Sequence, residues 1–537
     1  MSLLSQFLTN LRAFIRDQDG DSLHAWLQVS PNSSQQYFSL GAELRAQFGA
    51  GPGRGAAKNK KGNEALEAAV EAGLPEEDDV GEGQGTSWPG FVTFVKDYMV
   101  FWRDVDFDDL VKAHSLLCGL VNSCSTAFAN PSYGGMLLKT SMSLSEVLVQ
   151  LTMMLNRRPD LTSRLGAGDE ESRKSVAETS AEIIQKIFTT CLTDRASARM
   201  SRPEGKKVGV YMFANLVLKL LFACRKTHLA KQIFTNISTN SPPLSLYPAA
   251  QRVTFLYYLG RFNLSNNHFL RAANCLSEAY LQTHSHFTTH RTLILTYLIP
   301  ANLLLGILPS EALLARPECA PLIPVYAPLR QALRKGDFYL FQQTLSAHES
   351  WLFEKGILLL LTHRLRPTLW RSLSRRVFLL TYTPPTDPNS RRAPLLDLSH
   401  LLTAATYIHR RMEGYTPSPP SNSSTTLLSP ASHNNSGPTT TTLSPPPGGP
   451  KKLRPNEGMV WGNAEPTMQD VELAVAALVQ QGLLHGYVAH DMGKFAVMGA
   501  KTKGAVAAGW PAVATAVRER RYAEEIELDA VPGWVTG

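Results

Sequence analysis

At 537 residues the chain has room for about two to four domains and a sizeable core. Its hydrophobic content of 44% is that of an ordinary globular protein, and no apolar run reaches the roughly eighteen residues a membrane span needs. The formal charge of +8 is a mild excess, informative only once it is located.

The N-terminus, MSLLSQFLTNLRAFIRD, places Leu4, Phe7, Leu8, Leu11 and Ile15 on one helical face, with Arg12 and Arg16 interspersed. That pattern predicts an amphipathic docking helix within an N-terminal segment 1–48, not a signal peptide. Residues 49–87, rich in Gly, Ala, Lys and Glu, read as a disordered linker. GPGRG and GEGQG in this stretch lack a preceding strand and the GK[ST] ending of a phosphate loop.

From 88 onward the periodicity is helical. Residues 88–225 read as N-terminal helical repeats, with helices at 89–103, 107–128, 141–156, 172–194 and 211–225. Residues 226–366 continue the array with 290–305, 310–315, 325–335 and 338–353. The stretch 255–287 is the clearest signal. Phe269, Ala272, Ala273, Leu276, Ala279 and Tyr280 recur at three- and four-residue steps, and the small alanines beside larger anchors let another helix pack close. Helix pairs of this kind stack into repeat arrays that hold other proteins. Gly336–Asp337 marks one helix end and the next helix start. Trp351, Phe338 and Phe341 are expected in the packing between repeats.

Residues 367–498 change character. Helices are expected at 367–380 and 398–412, and a third begins at Thr467, where Thr467 and Asp470 form a capping-box pattern. The runs LHGYVAH and KFAVM, joined at Asp491–Met492–Gly493, predict a β-hairpin. Three helices and a hairpin make a winged helix. Its expected core is Val471, Val475, Leu478, Tyr487, Val488, Phe495 and Val497. The Ser/Thr/Pro/Asn-rich stretch 414–458 reads as a disordered insertion that adds no core, and 499–537 as a C-terminal tail.

The six cysteines, Cys118, Cys124, Cys191, Cys224, Cys275 and Cys319, form no CxxC pair and read as buried reduced thiols. His284, His286 and His290 read as a polar inter-helix loop. The HxH that opens a metalloprotease motif is not continued, because Ile294 and Tyr297 stand where that motif has serine and aspartate. No metal, cofactor or enzymatic activity is expected.

The charge surplus is concentrated at 357–412. Arginines 364, 366, 371, 375, 376, 391, 392, 410 and 411 face only Asp387 and Asp397. Arg371, Arg375 and Arg376, with Arg410, Arg411 and Lys494, are candidate nucleic-acid contacts. A solvated helix face and a surface for an acidic protein remain alternatives. The third helix, VELAVAALVQQ, has few groups able to read base edges, which argues against a sequence-specific DNA-binding factor.

A mainly α solenoid of TPR-like repeats running into a winged helix resembles the PCI domain of scaffold subunits in the proteasome lid, the signalosome and a translation initiation factor. YYLGR (257–261), HFLRAANCLSEAY (268–280), RTLILTYLIPANLLLGILPS (291–310), LRKGDFYLFQQTLSAHESWLFEKGI (333–357) and VELAVAALVQQGLLHGYVAHDMGKFAVM (471–498) are similar to one branch. DVDFDDLVKAHSLLCGLVN (104–122) extends the likeness upstream. That branch holds the PCI subunit of the nuclear mRNA-export (transcription–export) complex and its fungal sister, a signalosome-subunit-12-like protein. The resemblance implies a non-catalytic scaffold in the nucleus, with the cytoplasm as a second location. It implies as partners a large PCI-like scaffold, a small acidic protein shared with the proteasome lid, and RNA or DNA at a basic winged-helix face, with no membrane.

Overall fold

Apolar residues at helical spacing, interrupted by short capped turns, leave the chain no other way to hide them than helix on helix. The computed structural model describes residues 2–49, 56–74, 88–158, 160–161, 175–195, 202–384, 393–417 and 443–524. No described helix is long and apolar enough to cross a membrane. The chain divides into two compact units, Met1–Phe262 and Asn263–Val531.

The first unit opens with α1 (Leu3–Arg16), α2 (Gly20–Trp26) and α3 (Gln35–Phe48). Leu4, Phe7, Leu8, Leu11 and Ile15 of α1 are all buried, as the amphipathic pattern requires. The linker expectation fails for α4 (Ala56–Gly73). Leu66, Val70 and Leu74 fall at four-residue steps and are fully buried, so this segment contributes core. The helices α5 (Pro89–Asp104), α6 (Leu110–Phe128), α7 (Leu138–Asn156), α8 (Val176–Thr193), α9 (Val210–Ala223), α10 (Ala230–Asn240) and α11 (Ala249–Ser265) follow. Aromatic residues tie the early ones together. Trp88 donates its indole N–H to Ala127 O (2.9 Å), and Tyr98 and Trp102 both donate to Gln28 O.

The second unit begins with α12 (Phe269–Gln282), whose stripe of Phe269, Ala272, Ala273, Leu276, Ala279 and Tyr280 is buried throughout. Then come α13 (Thr288–Leu304), α14 (Glu311–Leu314), α15 (Ile323–Lys335), α16 (Phe338–Ala347), α17 (Glu349–Glu354) and α18 (Leu358–Arg364). The single helix expected at 338–353 is broken at His348 into α16 and α17. Phe338 and Phe341 are core, while Trp351 is half-buried and meets the edge of Tyr326.

The winged helix runs helix, strand, helix, helix, strand, strand: α19 (Arg366–Thr381), β1 (Leu395–Asp397), α20 (Leu398–Met412), α21 (Met468–Gln480), β4 (Gly486–Ala489) and β5 (Lys494–Val497). A short pair, β2 (Thr416–Pro417) and β3 (Leu443–Ser444), lies between α20 and α21. Thr467 and Asp470 close a reciprocal capping box on α21. The hairpin pairs Val488 with Phe495 and Tyr487 with Ala496, and β1 adds a third strand on the far side of β5. Val471, Val475, Leu478, Phe495 and Val497 are buried, and Val488 is half-buried. Tyr487 is not core. Neighbours on a strand point to opposite faces, so with Val488 turned inward Tyr487 stands on the outer face, 56% exposed.

Two further expectations are corrected. Residues 443–458 are held, not loose: Leu453 is buried, and Arg366 donates to the carbonyls of Asn456, Gly458 and Met459. The tail continues as α22 (Ala500–Lys503), α23 (Ala505–Gly509) and α24 (Val513–Glu524), with Ala508, Trp510 and Ala516 buried. Residues 418–442 and 525–537 lie outside the described residues.

Candidate nucleic-acid interface

A phosphate-binding face needs cations that are exposed and not already neutralised. The arginine cluster separates on that criterion. Arg366 lies over the Phe338 ring at 5.6 Å and is spent on three carbonyls, so it is an internal tie. Arg371 does not join the exposed row that its spacing from Arg375 suggests. It is half-buried and donates to the carbonyls of Trp510 (3.0 Å) and Pro511. Burial, and then the charge of Arg375, bring its guanidinium down to about 10, which leaves it a cation at neutral pH.

Arg410 donates to Glu465 at 3.0 Å, lies 3.7 Å from Glu413 and covers the Tyr415 ring, so carboxylates already compensate it. Arg411 stacks over Tyr339 at 5.0 Å. Lys494 is half-buried at the start of β5, paired in register with Asp397. Burial raises the Asp397 pKa, but the Ser399 side-chain and backbone hydrogen bonds and the charges of His400 and Lys494 outweigh it and keep that carboxyl low. Arg391, Arg392 and Asp387 fall outside the described residues.

Arg364 is exposed at the end of α18, and on α19 Arg375 and Arg376 remain. Both are exposed on α19, and among the described residues neither forms an ion pair. They have neighbours that sequence spacing does not reveal. The turn after α15 runs directly over α19: a Cβ added at Gly336 would lie 2.3 Å from the Leu373 backbone nitrogen. Only glycine allows that approach. It brings Arg334 and Lys335, exposed in the last turn of α15, within about two helical turns of Arg375 and Arg376. Neither α15 nor α19 carries a carboxylate, and Asp337 is turned to cap α16 at Leu340 N–H.

The other face of the winged helix is unsuitable for phosphate. α21 has no Lys, Arg or His, and carries Asp470 and Glu472. Its Glu472 pairs with His490 at 2.8 Å, and Leu473 is 70% exposed. Elsewhere, among the described residues no group of three or more His, Cys, Asp and Glu is placed to hold a metal ion. His284 and His286 stack on each other in an exposed loop. The six cysteines are free and buried or half-buried.

This architecture has recognisable relatives. A PCI domain-containing protein of Schizosaccharomyces pombe is 30% identical over 293 residues, which cover 54% of this chain and 63% of the relative. A Neurospora crassa protein named CSN12 homolog is 34% identical over 215 residues, 39% of this chain and 46% of its own. These matches support a resemblance to PCI-domain proteins. Xenopus laevis PCI domain-containing protein 2 is 32% identical over 206 residues, covering 38% of this chain and 49% of the relative. The chain spans less than two thirds of the length of these curated relatives. No protein-family model matches it.

Proposed function

We propose that this protein is a PCI-type, non-catalytic scaffold subunit of a nuclear complex that couples transcription to mRNA export, and that its winged helix offers a basic face to RNA or DNA. The observation that carries the nucleic-acid part is the grouping of Arg375 and Arg376 with Arg334 and Lys335 across two packed helices without a carboxylate on either. Such a face contacts phosphates and is weakly sequence-dependent. The helical array supplies the surface for a large PCI-like partner, and a small acidic protein is the competing ligand for the same cations.

The second reading, a signalosome-associated scaffold that regulates deneddylation without catalysing it, is favoured by the CSN12 homolog name of fungal relatives. Affinity purification separates the two: export factors recovered with the chain support the first, signalosome subunits the second. The nucleic-acid role is tested by Arg334→Glu, Arg375→Glu and Arg376→Glu together. RNA affinity should fall at least about tenfold across unrelated sequences while circular dichroism stays unchanged. Unchanged RNA affinity removes the role. Lost capture of the acidic partner with RNA affinity retained reassigns the face to protein.

A further inference from the structure

The chain beyond the wing lies across the basic helix. Gly499 and Gly504, both at positive φ, lead from β5 into this segment. Gly509 accepts a hydrogen bond from the His485 N–H at 3.0 Å, and its Cα faces Val497. Trp510 is 3% exposed. Its ring lies 4.6 Å from Phe378 and 6.1 Å from Phe495, and its indole N–H donates to Ser374 Oγ at 3.0 Å. Val513 and Ala514 then press on Gly306, where no side chain would fit.

The segment satisfies Arg371 poorly. Its two acceptors are neutral carbonyls, and the guanidinium Nε is buried with no partner. Carbonyls satisfy donors but leave the charge uncompensated, one turn from the like charge of Arg375. Nor does charge hold the cover down: residues 499–524 carry Lys501, Lys503, Arg518, Arg520 and Arg521 against Glu519 and Glu524. Apolar contact by Trp510 and its neighbours does. A phosphate would be the stronger partner for Arg371, because both members of the bond would then be charged.

We propose that residues 505–516 are a displaceable cover over α19: a polyanion bound at Arg375 and Arg376 competes with the Trp510 and Pro511 carbonyls for Arg371 and lifts the segment. The proposal rests on the nucleic-acid reading above and adds its regulation. Closed, the chain presents a reduced cationic row. Open, Arg371 extends the row by one phosphate contact.

Hydrogen–deuterium exchange on the full chain tests this with a 30-nucleotide poly(U) RNA. Amides at 505–516 should be protected in the free protein and exchange at least about tenfold faster when RNA is saturating, while α19 stays protected. Trp510→Ala keeps every charge and should bind the RNA several-fold more tightly, because no cover has to be displaced, while its salt slope matches that of the wild type. Adding Arg371→Ala to Trp510→Ala should abolish that gain. RNA that binds the wild-type chain while 505–516 remain protected overturns the cover and leaves the nucleic-acid reading standing. RNA that binds neither wild type nor Trp510→Ala overturns both. Should Trp510→Ala fold poorly, exchange on the wild-type chain alone decides.

Discussion

Two arginines nine residues apart show how burial, not residue type, assigns a role. Arg366 and Arg375 both lie on α19, yet one is wrapped by carbonyls and an aromatic ring while the other faces water. The same logic governs His114 in the first unit. Its Nε2 sits 3.1 Å from Thr152 Oγ1 and 3.0 Å from Ser180 Oγ, and burial lowers its pKa to about 4. The folded protein therefore resists a proton that the unfolded chain accepts near the ordinary histidine value of about 6.5. The stability tied to neutral His114 is complete above pH ~6.5 and is lost as pH falls toward about 4. The full loss is on the order of 3 kcal/mol, about 2 of it by pH 5. His114→Leu leaves the two hydroxyls satisfied, since each can donate its proton to a helix carbonyl, Thr152 to Leu148 O and Ser180 to Val176 O. This variant should flatten the decline in melting temperature between pH 7 and 5. An unchanged decline would place the acid sensitivity on another group.

At the scale of elements, what the sequence revealed was what neighbours in sequence decide. The α12 stripe, the Thr467–Asp470 box and the hairpin turn at Gly493 each depend on residues a few positions apart, and each is found. The failures involve distant partners. Strand β1 has three residues, too few to show a period, and exists because β5 pairs with it. Residues 443–458 resemble a disordered insert in composition, but the donors that order them come from Arg366, ninety residues upstream. The role of Arg371 was hidden for the same reason, its acceptors lying 139 and 140 residues downstream. The site was thus legible only in part: Arg375 and Arg376 by charge and spacing, but not Arg334 and Lys335, which reach them through the Gly336 contact. The case of α4 differs, since Leu66, Val70 and Leu74 stand at helical spacing inside a stretch whose composition is that of a linker. A dissection of the insert follows. Replacing 418–442 with a short Gly/Ser linker should cost under about 1 kcal/mol, because β2 and β3 already hold its ends together. Arg366→Ala should cost about 2–4 kcal/mol, because three part-buried carbonyls lose their donor. Urea unfolding followed by Trp fluorescence measures both, and equal effects would mean that 443–458 adds nothing to the core.

For the whole molecule, net charge overstates what is free to bind. Of the arginines at 357–412, Arg366, Arg371 and Arg410 are engaged inside the protein, so a surplus that looks like nine cations against two carboxylates shrinks to a small exposed patch. On the proposed reading, four exposed cations, Arg334, Lys335, Arg375 and Arg376, make up that patch on the second unit. With about 0.7 counterions released per phosphate on single-stranded nucleic acid, four contacts predict a slope of log K against log salt near −3, and Arg371, once uncovered, brings it to about −3.5. RNA affinity should then fall about fifty- to a hundredfold between 50 and 200 mM salt, and do so alike for unrelated sequences. A filter-binding titration over this range reads the slope directly. A value between about −5 and −6 would mean that Arg410, Arg411 and Lys494 leave their present partners when RNA binds. A slope near zero would mean that whatever binding occurs is not to phosphate, and the acidic-protein reading of the patch would take its place.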